Sequence, residues 1–253
     1  MNYFFGFTGN GLNSQLTIPK FQNRADPVPE IKLWGIQSNG DLWEITLENV
    51  EEDEHFFYVP QEKIDNHKVF VLAKREELKG FNTKRLTPLN SYTSTLPAYR
   101  SNFKLLNQEG GFSSYQSEYP TAMVEKKGGI ISSIKSLLNP AATHNYILIR
   151  NIYQSPISDK FNAYLIDYKS KKILSKHSLE INQTNCIKVA QEHLKPNVFL
   201  FTDGYLGIPV YVSQHEGHLS MEHTHPPHSY ILSENVFKKV SELKKEFYEI
   251  IHT

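Results

Sequence analysis

Five of the eleven histidines in this chain fall within residues 214–230, QHEGHLSMEHTHPPHSY. They are His215, His218, His223, His225 and His228, with Glu216 and Glu222 between them. Neutral imidazole is the commonest protein ligand for first-row metals, and carboxylates complete or tune such a shell. Side chains alternate along a strand, so His223 and His225 are expected on one face, about 7 Å apart at Cα. Neither Pro226 nor Pro227 can donate to a ladder, so the chain bends there and can bring His228 round to the same point. The expectation is a mononuclear divalent transition metal, zinc or iron, on His223, His225 and His228. His215 and His218 belong to the preceding strand or its turn at Gly217 and complete or tune the shell. Glu222 and Glu216 neighbour the expected ligand positions and are the expected proton carriers. An open coordination position would let bound water act as a nucleophile, or iron bind oxygen.

Two family patterns touch this stretch. Gly217, followed after five residues by His223-Thr224-His225, is similar to the opening of the first cupin motif. That resemblance implies a metal held by two histidines of a barrel strand and a nearby glutamate. Ser229 and Tyr230 stand where the motif has its glutamate, and the chain beyond them has a helical pattern instead of a second motif. His223-x-His225-x-x-His228 also resembles the metal-binding run of the metallo-β-lactamase superfamily, which has an aspartate where this chain has Pro227. Both likenesses are confined to residues 217–230, and the chain is assigned to neither family.

Three charged residues fall in or beside expected strands, where an unpaired charge is expensive to bury: Arg100, Glu118 and Arg150. On a sheet face shared with the histidines, either arginine would anchor a carboxylate or phosphate, Glu118 would serve as ligand or base, and Tyr230 would line the substrate. Ordinary salt bridges are the plainer alternative. Tyr115, Tyr119, Tyr153, Tyr205, Tyr211 and Tyr230 crowd the same half of the chain. Aromatic faces with polar tips suit sugar rings, and they also suit half-buried sheets.

The elements that must position these residues are mostly strands. Segments 31–37 and 41–47 flank Asn39-Gly40 and alternate as a hairpin with a tight primed turn. Further strands are expected at 55–59, 68–73, 99–106, 112–119, 145–153, 161–168, 186–189, 198–202 and 208–213, with shorter extended pieces at 173–174 and 178–181. Residues 1–29, rich in Gly, Asn and Pro, read as an irregular or extended lead-in. The spacing of 130, 131, 134, 137 and 138 predicts a short amphipathic helix. A longer one, capped by Ser233, is expected over 233–251, docked on a sheet by its apolar stripe. The expected fold is mainly β, an antiparallel β-sandwich or barrel-like domain with a C-terminal amphipathic α-helix. A composition change over 74–97 suggests a hairpin-containing unit at 1–90 and a main β-rich domain at 91–253.

Composition narrows the function. Lys+Arg and Asp+Glu balance at 27 each, so no global field draws nucleic acid or anionic lipid. A single cysteine, Cys186, excludes paired CxxC zinc ligands and an internal disulfide framework, and fits a reducing, cytoplasmic setting. Phosphate-loop and nucleophile-elbow motifs are absent, and no window is apolar enough for a membrane span. The leading expectation is a metal-dependent enzyme, hydrolytic or oxygen-dependent, acting on a small polar substrate such as a sugar derivative. Its competitor is a non-catalytic β-sandwich that binds carbohydrate or protein, and a third reading has the C-terminal helix mediating assembly.

Overall fold

The computed structural model describes residues 2–20, 30–87, 93, 99–125, 127–223 and 234–253. The first strands are β1 (Asn2–Phe5), β2 (Thr8–Gly9), β3 (Leu12–Pro19), β4 (Lys32–Ser38), β5 (Trp43–Leu47), β6 (Glu51–Glu52), β7 (Phe56–Val59) and β8 (Val69–Ala73). Then come β9 (Ser101–Asn107), β10 (Phe112–Ser117), β11 (Tyr119–Pro120), β12 (Ile131–Ser133), β13 (His144–Arg150) and β14 (Lys160–Asp167). The last are β15 (Lys172–Glu180), β16 (Thr184–Val189), β17 (Val198–Thr202), β18 (Ile208–His215) and β19 (His218–His223), followed by helix α1 (Val236–His252). Strand pairing is antiparallel and the sheets stack as in a sandwich, so the architecture is mainly β with a C-terminal helix.

Four sheets form. The first has the order β11-β1-β8-β4-β5, the second β10-β9-β3-β7-β6 with β2 on β3, the third β16-β13-β18-β19, and the fourth β12-β17-β14-β15. Strands with unbroken apolar runs lie between two cores, as burial on both faces requires. In β8, Phe70 and Leu72 enter one core, while Val69, Val71 and Ala73 enter another with Tyr3, Phe5, Ile36 and Trp43. In β13, Tyr146 and Leu148 join the core shared by the first three sheets, and Ile147 and Ile149 join the core between the third and fourth. Helix α1 covers the far face of the fourth sheet. Its Phe247 stacks on Tyr168 and Phe201, both at 5.4 Å between ring centroids.

Several expectations change here. Residues 2–19 are not a lead-in: β1 lies between β8 and β11, with Phe4 opposite Phe70, and Tyr3, Phe4 and Phe5 are buried. The helix expected at 130–138 is replaced by strand β12, which pairs Ile131 with Phe201 and is followed by turns. The apolar spacing there serves a core instead: Ile130, Ile134 and Leu138 all enter the one between the third and fourth sheets, a tertiary override of local pattern. The two pieces at 173–174 and 178–181 merge into the single strand β15. The hairpin at 31–47 forms, but Ser38 pairs with Trp43 across a longer loop in which the Asn39 side-chain oxygen accepts from the Asp41 and Leu42 amides. Pairing also crosses residue 90, since β3 bonds to β9 and β1 to β11. Ser233 lies outside the described residues, and Asn235 stands at the helix N-cap.

Candidate functional site

The tight primed turn is found in the histidine stretch. Glu216 and Gly217 both have positive φ, 44° and 80°, which is the two-residue connection that twists with its strands. It sets His215 directly opposite His218. The His215 ring also meets the Thr143 hydroxyl at 3.1 Å, and Glu216 stands 3.9 Å from it on a solvent-exposed tip. His223 is at the other end of β19, opposite Val210. Five residues of extended chain separate it from His218, roughly 17 Å, so the two ends of the strand cannot share one ion. Alternation adds a second separation. Leu219 and Met221 face the core and His223 follows them, whereas His218, Ser220 and Glu222 are exposed on the other face. Glu222 is therefore adjacent to His223 in sequence but directed away from it.

The His223 ring stacks on Tyr115 of β10, with centroids 5.2 Å apart and planes inclined at 30°. Just past the end of β10, Glu118 forms an ion pair with Arg100 at 3.1 Å. Burial drives the Tyr115 phenol pKa far above the usual tyrosine value, with the Glu118 charge adding to the rise. His223, Tyr115, Glu118 and Arg100 thus lie at one end of two neighbouring edge strands. His225, His228 and Tyr230 lie outside the described residues. Among the described residues no group of three or more His, Cys, Asp or Glu is placed to hold a metal ion.

Arg150 does not face a substrate. It is 0% exposed, and its guanidinium donates to the carbonyls of Asn66 at 2.6 Å and Asn182 at 3.3 Å. Thr184, which also meets it at 3.5 Å, donates its hydroxyl to the Gly6 carbonyl. The Asn66 side chain brackets Thr8 in both directions. The arginine is the centre of a polar joint between the N-terminal strands and the β15–β16 turn. Tyr119, Tyr205 and Tyr211 are likewise buried, so they are core residues and not a sugar platform.

A surface that combines aromatic rings with polar side chains is the outer face of the second sheet. Alternation in β3 buries Leu12, Ser14, Leu16 and Ile18 and leaves Asn13, Gln15 and Thr17 half-exposed on the other side. In β9 the same phase exposes Asn102, Lys104 and Leu106, and in β10 it exposes Phe112, Ser114 and Gln116. Register aligns these into rows. Gln116, Asn102, Thr17, Tyr58 and Glu51 are successive cross-strand partners over five strands, a span of about 19 Å at the usual strand spacing. Ser114, Lys104 and Gln15 form the next row, and Phe112, Leu106 and Asn13 the one after. Aromatic rings stand at two borders of this face. Phe112 is 60% exposed at the β10 edge, and Tyr58 sits near the opposite edge with Phe56 at 6.2 Å. The Tyr58 hydroxyl donates to Asp53 at 2.7 Å, which raises the phenol pKa and, with the His55 and Phe56 amides, holds the Asp53 carboxyl below the usual range.

A concave feature lies elsewhere, a cavity of about 580 Å³ where the loop after β4 meets the turn after β15. Asp65, His67, Asp159, Lys160 and Glu180 contribute to its wall. Much of its polar lining is already engaged: Asp159 accepts from Tyr205 and from the Lys160 amide, and Glu180 accepts from Gln183. Among the described residues no helix is long and apolar enough to cross a membrane. No protein-family model, curated protein or solved structure matches the chain.

Proposed function

We propose that the protein binds carbohydrate across the outer face of its second sheet, as a non-catalytic β-sandwich module. A sugar chain presents flat C–H faces between dense hydroxyls, and it is matched by aromatic rings set among side chains that both donate and accept. The observation that carries the reading is the aligned row Gln116, Asn102, Thr17 and Tyr58, with Phe112 at the adjoining border. Amide and hydroxyl side chains on regular strands are held in place before a ligand arrives, which lowers the ordering cost of binding. Affinity electrophoresis through polysaccharide gels, with a glycan array to find the preferred sugar, tests the reading. Retardation of the wild-type chain by at least one polymer is expected, reduced about tenfold in affinity by Tyr58→Ala or Gln116→Ala, in line with a lost hydrogen bond or ring contact. A chain that no glycan retards or captures would dispose of the proposal.

A second reading keeps metal-dependent chemistry on a small polar substrate, confined to His223, His225 and His228. The specific observation in its favour is that His223 leaves β19 against Tyr115, beside the Arg100–Glu118 pair. Elemental analysis of untagged protein prepared without chelator or nickel resin is the test. It should give close to one equivalent of zinc or iron, lost when His223 and His225 are both changed to Ala. Metal content near zero that reconstitution cannot raise would remove this reading and leave the first intact.

A further inference from the structure

We infer that the glycan is acidic, with a sugar carboxylate seated at Lys104; this rests on the sheet-face reading above. Lys104 occupies the middle of the face, flanked in its own row by Ser114 on one side and Gln15 on the other. Its neighbours in the adjoining rows on β9 are Asn102 and Leu106, so the surroundings are amide, hydroxyl and apolar groups. Its ammonium lies 4.3 Å from the centroid of the Phe112 ring.

Two lysines flanking strands of the first two sheets are neutralised. Lys20 pairs with Glu52 and Lys68 with Glu48, whereas no ion pair within the described residues involves Lys104. A long cationic side chain ordinarily snorkels into water; this one is half-buried and lies over a ring that attracts cations. It presents a fixed positive charge where a bound chain would pass. Glu51 closes the row beside it at the far border, where Asp53 also accepts from the Tyr58 hydroxyl of that row. One end of the face is thus acidic while its centre is basic, which directs an anionic group away from the β6 border and onto Lys104. The chain as a whole has no net charge, so the selection is local. A carboxylate seated on the ammonium accepts a charge-assisted hydrogen bond, with Ser114 and Gln15 placed to donate to its remaining lone pairs.

Calorimetric titration of the full chain with three polymers separates the outcomes: a polyuronate, its methyl ester, and a sulfated neutral glucan. The acid form should bind about tenfold more tightly than its ester, the usual effect of a hydrogen bond to a charged group. Lys104→Gln should abolish the difference between acid and ester, and Lys104→Arg should keep the preference. Acid and ester binding equally to the wild type would overturn the inference while leaving carbohydrate binding in place. So would a sulfated glucan that binds as tightly as the polyuronate and is unaffected by Lys104→Gln, since that describes diffuse attraction and not a seat. Failure of all three polymers, together with every glycan on the array, would remove both this inference and the reading beneath it.

Discussion

Replacing Arg150 by Ala tests the polar joint at the centre of the molecule. The guanidinium is wholly buried, and among the described residues its hydrogen-bond partners are neutral: two carbonyls and, more distantly, one hydroxyl. Hydrogen bonds to a charged group contribute about 1.5–3 kcal/mol each, so the two shorter ones amount to roughly 3–6 kcal/mol. The truncation also removes a charge whose desolvation opposes folding, which offsets part of the loss. A net destabilisation of about 3–5 kcal/mol is expected, the usual cost of breaking a buried charged contact. For a chain of this length that corresponds to a fall in Tm of roughly 6–20 °C. Arg150→Met should lose less, about 1–3 kcal/mol, because it fills the space of the stem without a charge to desolvate. Urea unfolding followed by circular dichroism, with calorimetry for Tm, gives both numbers. An Arg150→Ala variant within about 1 kcal/mol of wild type would refute the assignment of this arginine as a structural joint.

Other expectations follow from the same contacts. A Cβ at Gly111 would stand 1.5 Å from the Gly217 carbonyl oxygen, which Asn107 also binds at 2.7 Å, so Gly111→Ala should force the two hairpin tips apart and cost about 1–3 kcal/mol in urea melts; stability equal to wild type would mean the tips do not need this approach. Burial raises the phenol of Tyr119 to about 12 and those of Tyr3 and Tyr115 further. A raised folded-state pKa gives stability that is complete below the unfolded value near 10 and is lost as pH climbs towards the folded one. Arg150, pushed down to about 9 by burial, acts with the opposite sign, but the tyrosines outnumber it, so unfolding free energy should fall between pH 10 and 12; a flat profile over that range would contradict it. Burial also lifts the Cys186 thiol to about 11, partly opposed by Asn10, which donates to its sulfur. Alkylation of the folded protein at pH 8 should therefore be much slower than in urea and should accelerate up to about pH 11; equal rates folded and unfolded would show an accessible thiolate.

Much of the fold is written in local pattern. The apolar run Tyr146 to Ile149 of β13 and the stripe of α1 identify themselves, the first by being unbroken and the second by its helical period. Residues 2–19 do not, since glycine and asparagine near the turns hide two strands whose partners lie far along the chain. The apolar spacing at 130–138 fits a helix equally well, and only pairing with β17 decides against it. For the candidate sites, composition marks the histidines but not their separation, which depends on a two-residue turn and the length of one strand. The sheet face was visible in part: FSSYQSEY alternates small polar and aromatic residues, and the exposed phase of 12–19 and 101–107 also carries Asn, Gln and Thr. What sequence alone lacks is the register that brings those three phases to the same side.

Pairing of the earliest strands with much later ones also bears on how the chain is made. Leu16 of β3 must wait for Phe103, and Tyr3 for Tyr119. At a synthesis rate of about 5–20 residues per second, the first wait lasts on the order of 5–20 s. During that time β8 and β7 can already receive β1 and β3, but the edges that β11 and β9 later cover stay open, the kind of unpaired strand edge that holding chaperones shield.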